Sequence, residues 1–129
     1  MFLLPLPREG QGVEMHLLQW TFPTQDSATV LFTSLAEYKL RGEFAAPHTT
    51  VTHHLELAGE KGVVLVQGGV VGEGVSVGEA QVLVVGLQRF YGALEDAGAE
   101  RRKGLVEKFG RGDQGFRVEE LVEEAEKIV

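Results

Sequence analysis

The stretch Gly62 to Glu79 reads GVVLVQGGVVGEGVSVGE and contains the strongest structural signals in the chain. Its first part, Val63 to Gln67, is apolar and rich in β-branched residues, which predicts a strand with near-continuous burial. A glycine cluster follows at Gly68, Gly69, Gly72 and Gly74. Ser76 and Glu79 then have the spacing of a capping box, which predicts the start of a helix. The stretch therefore predicts a strand, a glycine-rich connection and a helix.

Connections of this kind bind phosphate in many proteins, because a helix N-terminus presents free N–H groups. A P-loop ends in Gly-Lys-Ser/Thr, whereas Val75 follows Gly74 here, and Gly72, Gly74 and Gly78 miss the dinucleotide-binding spacing by one position. An ordinary strand-to-helix turn is the favoured interpretation, because glycine also serves tight turns. The alternative, a ligand-binding loop, uses Gly68, Gly69, Gly72, Gly74 and Ser76.

Composition limits the class of protein. The 129 residues are 43% hydrophobic and 24% charged, which is typical of one folded domain. The absence of cysteine excludes disulfides and thiolate metal sites, and the net charge of −7 argues against nucleic-acid binding. The opening MFLLPLP lacks a basic segment, and no apolar run is long enough to span a bilayer. We expect a cytoplasmic protein without a cofactor and without a membrane partner.

Strands are expected in the first half of the chain. Phe2 to Leu6, bounded by prolines, predicts an edge strand, and Val13 to Phe22, ended by Pro23, predicts a strand that pairs with Ala28 to Thr33. Thr49 to Ala58 is compatible with either a strand or a helix. Ser34 to Arg41 begins with a capping signal and predicts a short helix.

Helices are expected in the second half. Apolar residues recur at helical spacing after Ser76, at Ala80, Leu83, Leu87, Phe90, Tyr91 and Leu94, although Gln81 to Val85 is also compatible with a strand. A final amphipathic helix is marked by Val118, Leu121, Val122, Ala125 and Val129. The fold class is therefore α+β, a small mixed or antiparallel sheet with helices packed on it and a helix-rich C-terminal part. We expect a single domain over residues 1–129, with 99–129 as a helical extension.

Few residues suggest chemistry. His53 and His54 are weak metal-ligand candidates beside His48 and Glu56, but adjacent side chains diverge on a strand or a helix. Ser34 and Ser76 are better explained as helix caps than as nucleophiles. The acidic pairs Glu119/Glu120 and Glu123/Glu124 are expected on a solvated helix face, and the basic segment Arg101 to Arg111 is expected to pair with that helix. Trp20, Phe22 and Phe32 are expected in the core. We assign no catalytic residue, which disfavours an enzyme.

Several segments in order resemble the N-terminal domain of the SseB family, the bacterial enhanced serine sensitivity proteins. The resemblance covers Phe2 to Leu94, within residues 1–98, and rests on short motifs: FLLPLP, LFTS at Leu31 to Ser34, GVVLV at Gly62 to Val66, and SVGE. The chain departs from the family at Gln67-Gly68-Gly69, where members usually have Asn-Pro-Gly. The resemblance implies an α+β fold and a bacterial cytosolic origin, and it brings no catalytic residues.

The leading hypothesis is a non-enzymatic binding or regulatory domain with a protein or peptide partner. Its surface is expected near the Gly68–Gly74 loop and the Leu31–Ser34 strand end. One alternative is an enzyme that binds a small ligand or nucleotide at the same loop. Another is a structural subunit of a homo-oligomer, such as a homodimer, with Val70, Val71 and Val75 packed across the interface.

Overall fold

A computed structural model describes residues 1–8, 10, 12–72, 74–91 and 98–126. Within these residues the chain forms one antiparallel sheet in the order β1-β2-β3-β4-β5, together with α-helices and a 3₁₀ turn, so the α+β class is confirmed. The strands are β1 Phe2–Arg8, β2 Gly12–Thr24, β3 Ser27–Ser34, β4 Thr49–His54 and β5 Leu65–Val70. The helices are α1 Leu35–Arg41, α2 Ala58–Lys61, α3 Val77–Tyr91, α4 Ala99–Arg111 and α5 Val118–Glu126, with the 3₁₀ turn at Gly42–Phe44.

The main core lies between one sheet face and the last three helices. Cross-strand partners share a face, and the register pairs Phe2 with Leu18 and Leu18 with Phe32. The ring of Phe2 lies 5.1 Å from that of Phe90 on α3 and 5.8 Å from that of Phe109 on α4. The fully buried members of this core include Phe2, Leu4, Leu18, Phe32, Leu83, Leu87, Leu105 and Leu121.

The helices gather over β1, at one edge of the sheet. Each of α3, α4 and α5 contacts β1. α3 packs directly on β1, since a Cβ at Gly86 would lie at an ordinary van der Waals distance, 3.4 Å, from the side chain of Leu4. On the opposite face, α1 packs against β2 and β3. The β5 edge therefore lies away from the helices.

Several expectations about secondary structure are confirmed. β1 is an edge strand, β2 pairs with β3, and Ser34 caps α1 by accepting a hydrogen bond from the backbone N–H of Glu37 at 3.2 Å. Thr49–His54 is a strand, so the helical alternative is wrong there, and Gln81 to Val85 is helical rather than extended. β2 continues through Pro23 to Thr24 instead of ending before it.

Three burial predictions are wrong. Val63 to Gln67 is exposed, since β5 is an edge strand remote from the helices. Phe22 is 73% exposed, because it lies near the end of β2, beyond Trp20, the last residue of that strand packed on the core. Glu124 is buried at 1% exposure, because this side of α5 faces α4. The predicted helix residue Leu94 and the predicted C-terminal residue Val129 lie outside the described residues.

The single-domain proposal predicts that α5 unfolds with the sheet. Leu121→Ala should lower the free energy of unfolding by about 2–5 kcal/mol, because Leu121 is fully buried in the shared core. Val118→Ala is the matched control, since Val118 is on the same helix but 42% exposed. Urea titrations followed by circular dichroism should show one transition for both variants. A separate transition for the C-terminal helices would contradict a single domain.

Candidate functional site

The most distinctive surface is an exposed apolar run that begins just before β5. We call Val63, Val64, Leu65 and Val66 the β5 surface; their exposed fractions are 43%, 43%, 54% and 49%. Successive strand residues point to opposite faces, so Leu65 and Val66 expose apolar area on both sides of the sheet. A contiguous exposed apolar patch is typical of a site that another molecule covers.

The backbone of β5 is open along its outer edge. The N–H of Val71 donates to the carbonyl of His48 at 2.8 Å. In a strand, the backbone N–H and C=O groups of successive residues point alternately to one neighbour and to the other, so this bond determines which residues of β5 bond to β4. The polar groups of Leu65, Gln67 and Gly69 consequently face β4, and those of Val66, Gly68 and Val70 face outward. In the part of the chain that the structure describes, no strand pairs with this edge.

The two edges of the sheet differ in protection. β1 contains Pro5 and Pro7, ends in Arg8, and is covered by the C-terminal helices. Prolines, charges and covering helices are the devices that prevent edge strands from pairing with other chains. β5, with the sequence LVQGGV, has neither proline nor charge. The open edge is therefore also the unprotected one.

The predicted glycine loop divides between a strand and a turn. Gly68 and Gly69 belong to β5, whereas Gly72 has a left-handed backbone with φ of 82°. The carbonyl of Gly74 accepts a hydrogen bond from Arg8 Nη2 at 2.8 Å. Ser76 forms the expected capping box: its N–H donates to Glu79 Oε1 at 2.9 Å, and its hydroxyl accepts from the Glu79 N–H at 3.1 Å. The ligand-binding assignment of these residues stays a prediction.

A chain of polar side chains around the buried His16 lies beside this turn, and sequence reasoning missed it. His16 is fully buried, with Nδ1 lying 2.9 Å from His48 Nε2 and Nε2 lying 2.7 Å from Glu14 Oε1. His48 Nδ1 lies 2.6 Å from the hydroxyl of Thr49. Two neutral imidazoles fit the part of this chain that runs from His16 through His48 to Thr49, because each ring can donate from one nitrogen and accept at the other. We call Arg8, Glu14, His16 and His48 the polar network.

Arg8 extends the polar network to α3. Its guanidinium lies 3.1 Å from Glu14 Oε1 and 2.6 Å from Glu79 Oε2. Because Arg8 also holds the carbonyl of Gly74, and His48 holds the N–H of Val71, the network anchors both ends of the connection between β5 and α3. The sequence places Arg8, the strand that contains Glu14 and His16, and His48 in three different segments, and the strand register that joins them was not predictable from their spacing.

The network favours neutral histidines. Burial lowers the pKa of His48 to about 4, and the neighbouring His16 acts in the same direction. Burial also lowers the pKa of His16, against the opposing effect of Glu14. Burial opposes ionisation of Glu14, but its bond to Arg8 and its proximity to His16 lower the pKa of this carboxyl overall. At neutral pH the chain therefore combines neutral imidazoles with an ionised carboxylate.

The other candidate residues are not brought together. His53 packs against Trp20 with ring centroids 5.6 Å apart, whereas His54 points to the other face and lies 4.0 Å from Glu56. Within the described ranges, no group of three or more histidine or acidic side chains has a metal-binding arrangement. The Leu31–Ser34 strand end lies in the interior strand β3, where Phe32 and Thr33 are buried.

The basic and acidic segments pair as expected. Arg101 Nη1 lies 3.3 Å from Glu123 Oε1 and 2.9 Å from Glu124 Oε1, so this prediction is confirmed. Val75, expected at an interface between copies, is only 4% exposed within its own chain. Among the helices described, none combines the length and apolarity needed to cross a membrane.

Comparison with known proteins places the chain beside assembly factors. The family model described as ATP11 protein matches residues 1–122. Protein atp11, mitochondrial, of Schizosaccharomyces pombe is 42% identical over 112 residues, which cover 86% of this chain and 39% of that protein. The human ATP synthase mitochondrial F1 complex assembly factor 1 is 33% identical over 128 residues, covering 98% of this chain and 35% of the relative. The mouse protein of the same name is 32% identical, covering 98% and 36%. The chain thus spans well under half of each relative.

These matches correct the expectation of a bacterial cytosolic SseB-like domain, which is wrong. The relatives are named as mitochondrial proteins, and the matching family is a different one. The alternatives, an enzyme at the glycine loop and a homo-oligomeric structural subunit, do not fit these relatives either. The motifs misled because an apolar strand, a glycine turn and a capped helix occur in many α+β folds.

The polar network predicts that acid weakens the fold. In the folded chain the pKa of His48 is about 4, below the ordinary 6.5, so between these values the unfolded chain binds protons that the folded chain excludes. The free energy of unfolding should fall as pH decreases through this window, and the lowered pKa of Glu14 adds a loss in the same direction.

Urea titrations across this window measure the effect. His48→Gln should show a shallower pH dependence than the natural sequence, and His54→Gln is the matched control, since His54 lies outside the network. An unchanged pH dependence in His48→Gln would contradict the assignment.

Proposed function

Because this chain belongs to the ATP11 protein family, we propose that it is the client-binding part of a mitochondrial ATP synthase F1 assembly factor. The human and mouse relatives, named as F1 complex assembly factors, support a protein partner. The client in this proposal is a subunit of the F1 complex before it has joined its neighbours. The chain then acts by holding that subunit through a non-covalent surface.

The observation that carries this proposal is the exposed β5 surface. A subunit awaiting assembly exposes apolar area that its neighbours later bury, so a factor that holds it needs an apolar surface of its own. Val63, Val64, Leu65 and Val66 supply such a surface in one continuous segment. The net charge of −7 keeps the rest of the chain soluble beside this patch.

A second exposed apolar pair supports the proposal less well. Leu40 on α1 is 77% exposed, and Phe44 in the 3₁₀ turn is 84% exposed. Both belong to short elements without an open strand edge. The β5 surface combines four consecutive apolar residues with unpaired backbone groups, and it is therefore favoured.

The polar network prepares this surface for binding. Its Arg8 side chain donates to the carbonyl of Gly74 in the connection that follows β5, and the backbone carbonyl of His48 accepts from the Val71 N–H at the start of that connection. A strand whose end is already fixed loses less conformational entropy when a partner binds. The network therefore supports binding by holding the connection after β5 through the Arg8 side chain, without contact with the client.

A charge placed on the β5 surface should weaken client binding. Leu65→Lys should raise the Kd for the bound F1 subunit about tenfold or more, because truncating or charging a central apolar contact commonly costs over 1 kcal/mol. Individually purified F1 subunits are immobilised, and the chain is titrated over each by biolayer interferometry. Leu40→Lys is the matched control and should bind like the natural sequence.

Thermal melts of both variants separate a binding defect from unfolding. The proposal fails if the natural chain binds no F1 subunit. It also fails if Leu40→Lys abolishes binding while Leu65→Lys leaves it intact.

A further inference from the structure

We propose that the client is bound by strand addition: an extended segment of it pairs with the outer edge of β5 and becomes a sixth strand. This inference rests on the function proposed above and specifies how the client is held. It is carried by the backbone of β5 rather than by its side chains alone.

The outer edge presents a ready hydrogen-bonding pattern. Two contacts fix it independently: the Val71 N–H donates to the His48 carbonyl at 2.8 Å, and the Leu55 N–H donates to the Asp26 carbonyl at 2.8 Å. The second contact shows that the backbone N–H and C=O groups of the odd-numbered residues of β4 point toward β3. The same groups of its even-numbered residues therefore point toward β5. Both contacts leave the N–H and C=O groups of Val66, Gly68 and Val70 directed outward. A peptide that adds to a sheet edge uses such groups for affinity.

The side chains around this edge define the segment that fits. Leu65 and Val66 lie on opposite faces and are half exposed, so a docked strand buries apolar area on both faces at once. Gly68 has no side chain, which leaves room on its face for a large side chain of the incoming strand. The edge carries no charge. The matching segment is extended, uncharged and rich in β-branched or aromatic residues.

A second copy of this chain fits the edge poorly. Antiparallel pairing of two β5 edges about their centre places Gly68 opposite Gly68, a pair without side-chain contact. Each copy also has a net charge of −7, which opposes close approach. A client segment with a β-branched residue opposite Gly68 avoids this glycine pair.

Amide hydrogen exchange measured by NMR tests strand addition residue by residue. In the free chain, the amides of Val66, Gly68 and Val70 should exchange fast, while those of Leu65, Gln67 and Gly69 are protected by β4. Binding of an F1 subunit should slow the three outward amides by about tenfold or more, because they acquire hydrogen bonds. Unchanged fast exchange of these amides in the complex would overturn the inference.

A proline substitution supplies a second test. Val66→Pro removes an outward N–H and leaves the bonds to β4 intact, so the melting temperature should change little while the Kd rises about tenfold or more. Val66→Ile is the matched control, since it keeps the N–H and a β-branched apolar side chain, and it should bind like the natural sequence. Normal binding by Val66→Pro would overturn strand addition.

The outcomes distinguish this inference from the function on which it rests. If the natural chain binds no F1 subunit, the proposed function fails. If it binds, but Val66→Pro binds equally well and the outward amides stay unprotected, strand addition alone fails. A dimeric mass of the chain by light scattering, with the same three amides protected in the absence of a client, would assign the edge to a second copy and overturn the inference.

Discussion

The packing of three helices against one strand determines what the rest of the molecule can do. α3, α4 and α5 all contact β1, and Gly86 of α3 lies against the side chain of Leu4. This packing supplies most of the core and closes one edge of the sheet. Because α3, α4 and α5 pack at β1, they do not cover β5 at the other edge of the sheet. The apolar edge at β5 is thus exposed because the core lies at the β1 side of the sheet.

The polar network connects the closed side of the sheet to the open side. Arg8 at the end of β1 reaches the start of α3, and the buried His16 reaches His48 beside β4. A buried polar group without a partner is costly, whereas here each imidazole has a partner within hydrogen-bonding distance. The network fixes the turn after β5, which gives an exposed strand a defined end.

Much of the architecture was predictable from local sequence signals. The Ser76/Glu79 capping box, the period of α3 and the β2–β3 pairing follow from chemistry within one or two elements. The exposure of β5 was not predictable, because an apolar β-branched run is compatible with a central strand and with an edge strand alike. The same holds for His16 and Arg8: their shared contact with Glu14 depends on strand register, which single-sequence periodicity does not encode.

The candidate site shows this limit most clearly. The order strand, connection and helix around Gly68 was predicted, but Gly68 and Gly69 belong to the strand and not to the connection, and the apolar half of the stretch was assigned to the core. In the structure that half is exposed, and its position at an unprotected edge suggests contact with another protein. The human and mouse relatives, named as F1 complex assembly factors, supply the context in which we propose that such an edge is used. Neither the edge nor the family alone would have supported the proposal.

Site-specific photo-crosslinking tests the central claim most directly. A benzoyl-phenylalanine is placed at Leu65 in one preparation and at Leu40 in another, and each is irradiated with individually purified F1 subunits. The account predicts a crosslinked product from position 65, with the attachment in an extended segment of one subunit, and none from position 40. Crosslinking from position 40 without crosslinking from position 65 would contradict the account.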